Sequence, residues 1–171
     1  MELIINEHLR LRPWQEEDKK ELQRIANNSN VTRFLRERFP HPYTRNDAER
    51  WVSLNIMGLY ETHFCIEYKQ QPAGGIGIDI QIDIHKYTAE LGYWLGEDYW
   101  GKGIITECIK AATPYYIKKF QLKRIYAHAF IGNDASIRAL EKAGYTLEGI
   151  MKNYAYKDGI DIDGTMYAFT K

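Results

Sequence analysis

Cysteine, proline and surplus charge are all scarce in this sequence. Of its 171 residues only Cys65 and Cys108 are cysteines and five are prolines. Each cysteine lies in an apolar stretch with no second Cys or His at metal-ligand spacing, which argues against a disulfide framework and a cysteine-built metal site. A reducing cytoplasm is the expected setting. Lys+Arg and Asp+Glu stand at 23 each, for a formal net charge of zero, and neither half of the chain is a basic arm or an acidic tail. Nucleic-acid binders draw most of their affinity from a surplus of Lys and Arg, so polyanion binding as the main role is disfavoured. No apolar run approaches the roughly 20 residues of a membrane-spanning helix, and the N-terminus does not resemble a signal peptide. The expectation is a soluble, cytoplasmic protein with neither a membrane nor a nucleic acid as partner. His8, His41, His63, His85 and His128 are scattered without acidic or Cys partners at ligand spacing, so each reads as a surface or core histidine and no metal is expected.

What the chain does have, 44% hydrophobic and 13% aromatic residues, suffices for one core, and a single domain over 1–171 is expected. His8–Trp14 alternates until Pro13 stops it, as a strand does. Leu22, Ile25 and Ala26 then recur at helical spacing, and Asn46–Tyr60 repeats that pattern beyond a loop holding Pro40 and Pro42. His63–Lys69 and Ala73–Asp83 read as strands around a hairpin-length break. The second alternates strictly, with isoleucines on one face and Asp79 and Asp83 on the other. Thr88–Leu95 is a further strand, and a long helix follows with Ile104, Ile105, Cys108, Ile109, Ala112 and Tyr116 on one face. Pro114 should kink or break that helix near Thr113. Lys123–Phe130 is a strand, Asn133–Ala143 a helix closed by Gly144, and Tyr145–Lys157 and Asp161–Thr170 are strands joined at Lys157-Asp158-Gly159. This order predicts an α/β fold: a mixed, mostly antiparallel sheet with a parallel central strand pair, helices lying on both faces.

The informative segment is Glu90-Leu91-Gly92-Tyr93-Trp94-Leu95-Gly96-Glu97-Asp98-Tyr99-Trp100-Gly101-Lys102-Gly103-Ile104-Ile105-Thr106-Glu107. A strand ends, a glycine-bearing turn follows and a helix begins, which aims backbone N–H groups at one spot in the positive end of a helix dipole. The spacing is not that of a Walker loop. Nor is it a dinucleotide fingerprint, because Thr106 stands where the third glycine belongs and no acidic residue follows at ribose-binding distance. Read from spacing alone, the segment is either an anion site or a glycine turn that merely starts a helix.

This stretch, together with Asn133-Asp134-Ala135-Ser136-Ile137-Arg138-Ala139-Leu140-Glu141-Lys142-Ala143-Gly144-Tyr145, resembles the GNAT acyltransferase superfamily. More narrowly it is similar to the branch of ribosomal-protein N-terminal alanine acetyltransferases and their small-molecule relatives. The resemblance covers nearly the whole chain. In the family's Gln/Arg-x-x-Gly-x-Gly/Ala pattern, Trp100 fills the first slot, Gly103 the first glycine and Ile105 the last, where the family prefers a smaller residue. The resemblance implies acetyl-coenzyme A as co-substrate and no metal, and it is compatible with a homodimer. It implies a pyrophosphate cradle from Gly101, Lys102, Gly103, Ile104, Ile105 and Thr106, with Lys102 adding charge. It further implies that backbone groups of Trp94, Leu95 and Gly96 pair with the pantetheine arm, reached from the other side by Asn133, and that an N–H near Leu95 stabilises the oxyanion.

For catalysis the resemblance points to Glu90 as base. Leu140 occupies the slot where many relatives carry a tyrosine general acid, and Ser136 is the residue that serves in the ribosomal branch. Each has a plainer alternative, Glu90 as an ordinary exposed or paired strand glutamate and Ser136 as a residue satisfying a helix N-terminus. The implied activity is transfer of acetyl to a primary amine by direct attack. The acceptor is a protein N-terminus, a polyamine or another small amine, chosen by residues within Phe34–Tyr60 and Asn153–Gly164. Leu140 and Ile105 keep open a coenzyme A binding module without catalysis, and a nucleotide-binding regulator is a third possibility.

Overall fold

The computed structural model describes residues 2–171. Its strands are β1 (Leu3–Asn6), β2 (Leu9–Arg12), β3 (His63–Tyr68), β4 (Gln71–Ile80), β5 (Thr88–Leu95), β6 (Arg124–Phe130), β7 (Thr146–Lys157) and β8 (Ile160–Thr170). The helices are α1 (Lys19–Ala26), α2 (Ser29–Thr32), α3 (Arg45–Ile56), α4 (Ile104–Phe120) and α5 (Asp134–Lys142). One eight-stranded sheet runs in the order β1-β2-β3-β4-β5-β6-β8-β7. β5 and β6 pair in parallel, as two strands joined through α4 must, and the rest of the sheet is antiparallel. The mixed sheet expected from the sequence is therefore present. The parallel ladder is brief: Thr88 pairs with Arg124, Ala89 with Ile125 and Glu90 with Tyr126, and there it ends.

Two hairpins turn on paired left-handed residues, Lys69 and Gln70 between β3 and β4, and Asp158 and Gly159 between β7 and β8. Two consecutive positive φ values match the right-handed twist of the flanking strands. Three expectations need correction. β1 adds a strand that precedes the expected opening one; four residues at an edge, with Ile4 exposed, carry too short an alternation to be read. β4 stops at Ile80, and Asp83 turns at φ 58 into a 3-10 turn. Ile82 and Ile84 consequently stand 82% exposed, so the isoleucine alternation outlasts the strand and Asp83 is not on its acidic face. Finally, α4 continues unbroken through Pro114. Pro114 and Lys110, whose carbonyl loses its helical donor, are both exposed. The proline thus sits on the exposed side of the helix, while Ile109, Ala112 and Tyr116 are fully buried on the other face.

The chain folds into two compact units. The first comprises the residues up to Gly77 with Tyr93–Cys108, the second Ile78–Gly92 with Ile109–Lys171. In the first, Trp14, Leu22, Ala26, Tyr43, Ala48, Val52 and Cys65 form a core flanked by Phe39, Trp51 and Trp94. In the second, β6 alternates strictly, burying Ile125, Ala127 and Ala129 and turning Tyr126 and His128 the other way.

A charge network crosses β2 and β3 in the first unit. Arg12, 6% exposed, grips Asp18 with both terminal nitrogens, at 2.7 and 2.8 Å, and donates from Nε to Glu67. Glu67 also accepts from Arg10 at 2.6 Å. Burial pushes the Glu67 carboxyl up, but the hydrogen bonds from Arg10 and Arg12 outweigh it and hold the group below the usual carboxylate range. Asp18→Ala removes one of the two carboxylates that hold the buried Arg12 guanidinium, and a loss of about 3–5 kcal/mol in urea unfolding is expected. Because the folded value of Glu67 is depressed, its contribution is complete above about pH 4.5 and drains away as pH falls through the folded value. Glu67→Gln should accordingly be less stable at neutral pH and show a flatter decline of Tm on acidification.

Candidate active site

In the first unit, β5 delivers the chain into a loop whose every turn is tied down. Gly96 donates its N–H to Ala73 O at 2.9 Å, and a Cβ there would press on Ile25 at 2.9 Å. A 3-10 turn follows over Glu97–Tyr99. The Trp100 indole donates to Leu95 O at 2.9 Å, and Lys102 Nζ donates to Asp98 O at 2.7 Å. Two helical elements hold the loop's acids: Asn28 and Asn30 donate to Glu97 at 2.6 and 2.9 Å, and Arg24 donates to Asp98 at 2.9 Å. Arg24, Asn28 and Asn30 carry no signal in sequence, since they lie about 70 residues from the loop.

Gly101 and Gly103 adopt φ values of 72° and 74°, a region that costs L-residues roughly 1–2 kcal/mol. The first turn of α4 closes with Glu107 N–H on Gly103 O, which makes Gly103 the cap. Ile104, Ile105 and Thr106 are then the leading residues, whose N–H groups have no carbonyl within the helix. A Cβ on Gly101 or Gly103 would meet nothing within 4 Å. The loop thus presents backbone donors to open space, and its fit to a diphosphate rests on those donors. Lys102 Nζ is engaged by the loop's own carbonyl.

Upstream, Gln81 N–H on Thr88 O and Gly96 N–H on Ala73 O fix the register of β5 against β4. Alternate residues from Thr88 to Gly96 use their peptide groups on β4, so those of Tyr93 and Leu95 point to the strand's other edge. Trp94 and Gly96 are therefore not edge donors. Leu95 keeps its N–H, while its carbonyl takes the Trp100 indole. The Trp94 ring instead packs edge-on against Phe39 at 5.2 Å.

The second unit holds Glu90, Ser136 and Asn133. Asn133 caps α5, its side-chain oxygen accepting Ser136 N–H at 3.3 Å, so the helix-end role weighed for Ser136 falls to Asn133 as the capping side chain. Leu140 is fully buried, as a core residue rather than a site residue. Glu90 is a paired glutamate rather than an exposed one. Its Oε1 lies 3.2 Å from His128 Nδ1, with the two side chains 17% and 15% exposed. The register set by Gln81 and Thr88 also puts Asp79 on β4 opposite Glu90. Tyr126 and Tyr154 flank the imidazole, with ring centroids at 5.3 and 4.9 Å. Sequence reasoning set His128 aside with the other histidines. The available clue was its place two residues beyond Tyr126 on the polar side of an alternating strand, a clue that becomes informative only once Glu90 is known to pair with Tyr126.

Comparison with known proteins follows the same lines. The family model described as "Acetyltransferase (GNAT) domain" matches residues 8–146. A ribosomal-protein-serine acetyltransferase of Escherichia coli (strain K12) is 30% identical over 125 residues, covering 73% of this chain and 69% of that one. A spermidine N(1)-acetyltransferase of the same strain is 26% identical over 159 residues, covering 88% and 80%. Against a further curated relative, 34% identical, the chain spans only 55% of that protein's length. The solved structure of RimL, a ribosomal L7/L12 α-N-protein acetyltransferase in complex with coenzyme A, superposes with a TM-score of 0.86 at 24% identity, over 99% of this chain and 98% of that one; at that identity the match speaks to the fold. With the family model spanning most of the sequence, this chain belongs to the acetyltransferase (GNAT) domain family.

Proposed function

We propose that the protein transfers the acetyl group of acetyl-coenzyme A to a primary amine by direct attack, and that the amine is a protein N-terminus. The observation that carries the reading is the Gly101–Thr106 loop, with two left-handed glycines opening a helix onto free space in a chain of this family. Backbone N–H groups there suit a pyrophosphate, because helix N-termini favour negative charge. The donor edge of β5 at Tyr93 and Leu95 suits an extended amide-bearing arm laid alongside it. The Leu95 N–H is the oxyanion donor in this reading. Asn133 stands at the start of α5, where its side chain caps the helix.

Attack requires a neutral amine. An α-amino group near pKa 8 is already about a tenth neutral at pH 7, whereas a lysine near 10.4 is less than about a thousandth neutral. A protein N-terminus therefore asks little of the base, and Glu90 supplies the negative charge for proton removal. Ser136 returns a proton to the departing thiolate. The relative that acts on a ribosomal protein supports an N-terminal acceptor, and the acids Asp79 and Glu90 also suit a cationic amine. A polyamine acceptor is the second reading, supported by the spermidine acetyltransferase relative.

The test is thiol release from acetyl-coenzyme A with N-terminal peptides, polyamines and aminoglycosides, each product weighed by mass spectrometry. An acetylated peptide N-terminus is expected. Thermal stabilisation by acetyl-coenzyme A without thiol release from any amine would replace the enzyme with a binding module, and stronger stabilisation by ATP or NAD would favour a nucleotide-binding regulator. Gly103→Ala forces a Cβ-bearing residue into the left-handed region at a cost of roughly 1–2 kcal/mol. It should raise KM for acetyl-coenzyme A by about tenfold, while a wild-type KM would separate the loop from the co-substrate. Glu90→Gln should lower kcat/KM by about a hundredfold and flatten its pH profile; an unchanged profile at full rate removes Glu90 from proton transfer.

A further inference from the structure

We propose that His128 is the catalytic base, its Nε2 taking the proton of the attacking amine while Glu90 holds the ring from Nδ1. This rests on the acetyl-transfer reading and deepens it. The geometry has three parts, all within the second unit. Nδ1 is 3.2 Å from Glu90 Oε1. A carboxylate accepts only, so Nδ1 carries the hydrogen and the neutral ring keeps its lone pair on Nε2. Among the described residues Nε2 has no hydrogen-bond partner, which leaves it available to a ligand.

The ring is also built into place. β7 shifts register between Met151 and Ala155, and Asn153 turns there at φ 49. Asp163 pins the irregularity by accepting from Asn153 N–H at 3.0 Å and from Lys152 Nζ at 2.7 Å. Such bulges re-aim side chains, and this one lays Tyr154 against the imidazole at 4.9 Å. Gly164 makes the room: a Cβ there would fall 2.6 Å from the Tyr154 ring. A histidine with only a packing role needs neither the carboxylate on one nitrogen nor a free second nitrogen.

The charged and titratable groups on the sheet face around the ring are Asp79 on β4, Glu90 on β5, Tyr126 and Arg124 on β6, and Tyr154 on β7. β8 contributes Met166, the pairing partner of His128. Arg124 is committed to Glu148, so Glu90 is the group that balances an imidazolium. As the C–N bond forms and the C–S bond breaks, the amine proton passes to Nε2. The coenzyme A thiolate then takes a proton from water, or from Ser136 with the serine reprotonated from solvent, and His128 returns its proton to solvent. No oxidant or further reactant enters.

His128→Gln, Glu90→Gln and the double variant should be compared by steady-state thiol release with the amine that the wild type acetylates. We expect His128→Gln to lower kcat/KM about a hundredfold with KM for acetyl-coenzyme A unchanged. The double variant should be no slower than the worse single one, since groups acting as a unit are non-additive. Free imidazole should restore part of the rate of His128→Ala. A wild-type kcat/KM for His128→Gln, fully additive losses, or no rescue by imidazole each overturns the proposal. Gly164→Ala keeps both chemical groups and displaces Tyr154; kcat reduced about tenfold is expected, and a wild-type kcat would show that the ring needs no such support. Absence of thiol release by the wild type with every amine refutes the acetyl-transfer reading itself, a result distinct from any of these.

Discussion

Three residue pairs of parallel ladder between β5 and β6 set what the second unit can do. Because the ladder pairs Glu90 with Tyr126, the side chain two residues further along β6, His128, falls diagonally beside Glu90 on the same face. A shift of one residue would turn His128 into the core and replace it with Ala127 or Ala129, since side chains alternate along a strand. The parallel direction has a second consequence. It obliges the chain to cross over through α4, and the start of that helix then follows directly from the end of β5, where Gly101 and Gly103 supply the left-handed turns.

The zero net charge conceals a partition of charge. In the first unit, acids are consumed by structure: Asp18 and Glu67 hold Arg12, Asp98 holds Arg24, and Glu97 takes the amides of Asn28 and Asn30. The loop that suits an anion is thereby left with backbone N–H groups rather than a cationic side chain. Lys102 spends its ammonium on Asp98 O, a carbonyl of the same loop, and so braces the loop. In the second unit, Glu90 and Asp79 share a sheet face with the His128 imidazole.

Much of the fold was legible because its elements carry strong local signals. Alternation in Arg124–Phe130, the helical stripe of α4 and the Asp158-Gly159 turn each follow from residues close in sequence. The misreadings share one cause, which is that local patterns do not reveal what lies alongside. β1 is too short to announce itself without β2. The isoleucines after Ile80 continue an alternation that the sheet no longer uses, because Asp83 turns the chain away. Pro114 leaves α4 whole because it lies on the exposed side of the helix while three neighbours on the opposite face are buried.

The sequence by itself determined the family, the mixed sheet and the loop that opens α4, because each depends on residues adjacent in the chain and on spacings that only a strand, a helix or a left-handed glycine satisfies. Tertiary structure alone decided which side chains of that framework meet. Glu90 and His128 are 38 residues apart, and Tyr154 reaches the imidazole only through a bulge held by Asp163 and a gap left by Gly164. Strand register and bulge geometry are collective properties of several strands. A histidine that looked solitary in the chain therefore becomes one half of a carboxylate–imidazole pair only when those strands are laid side by side.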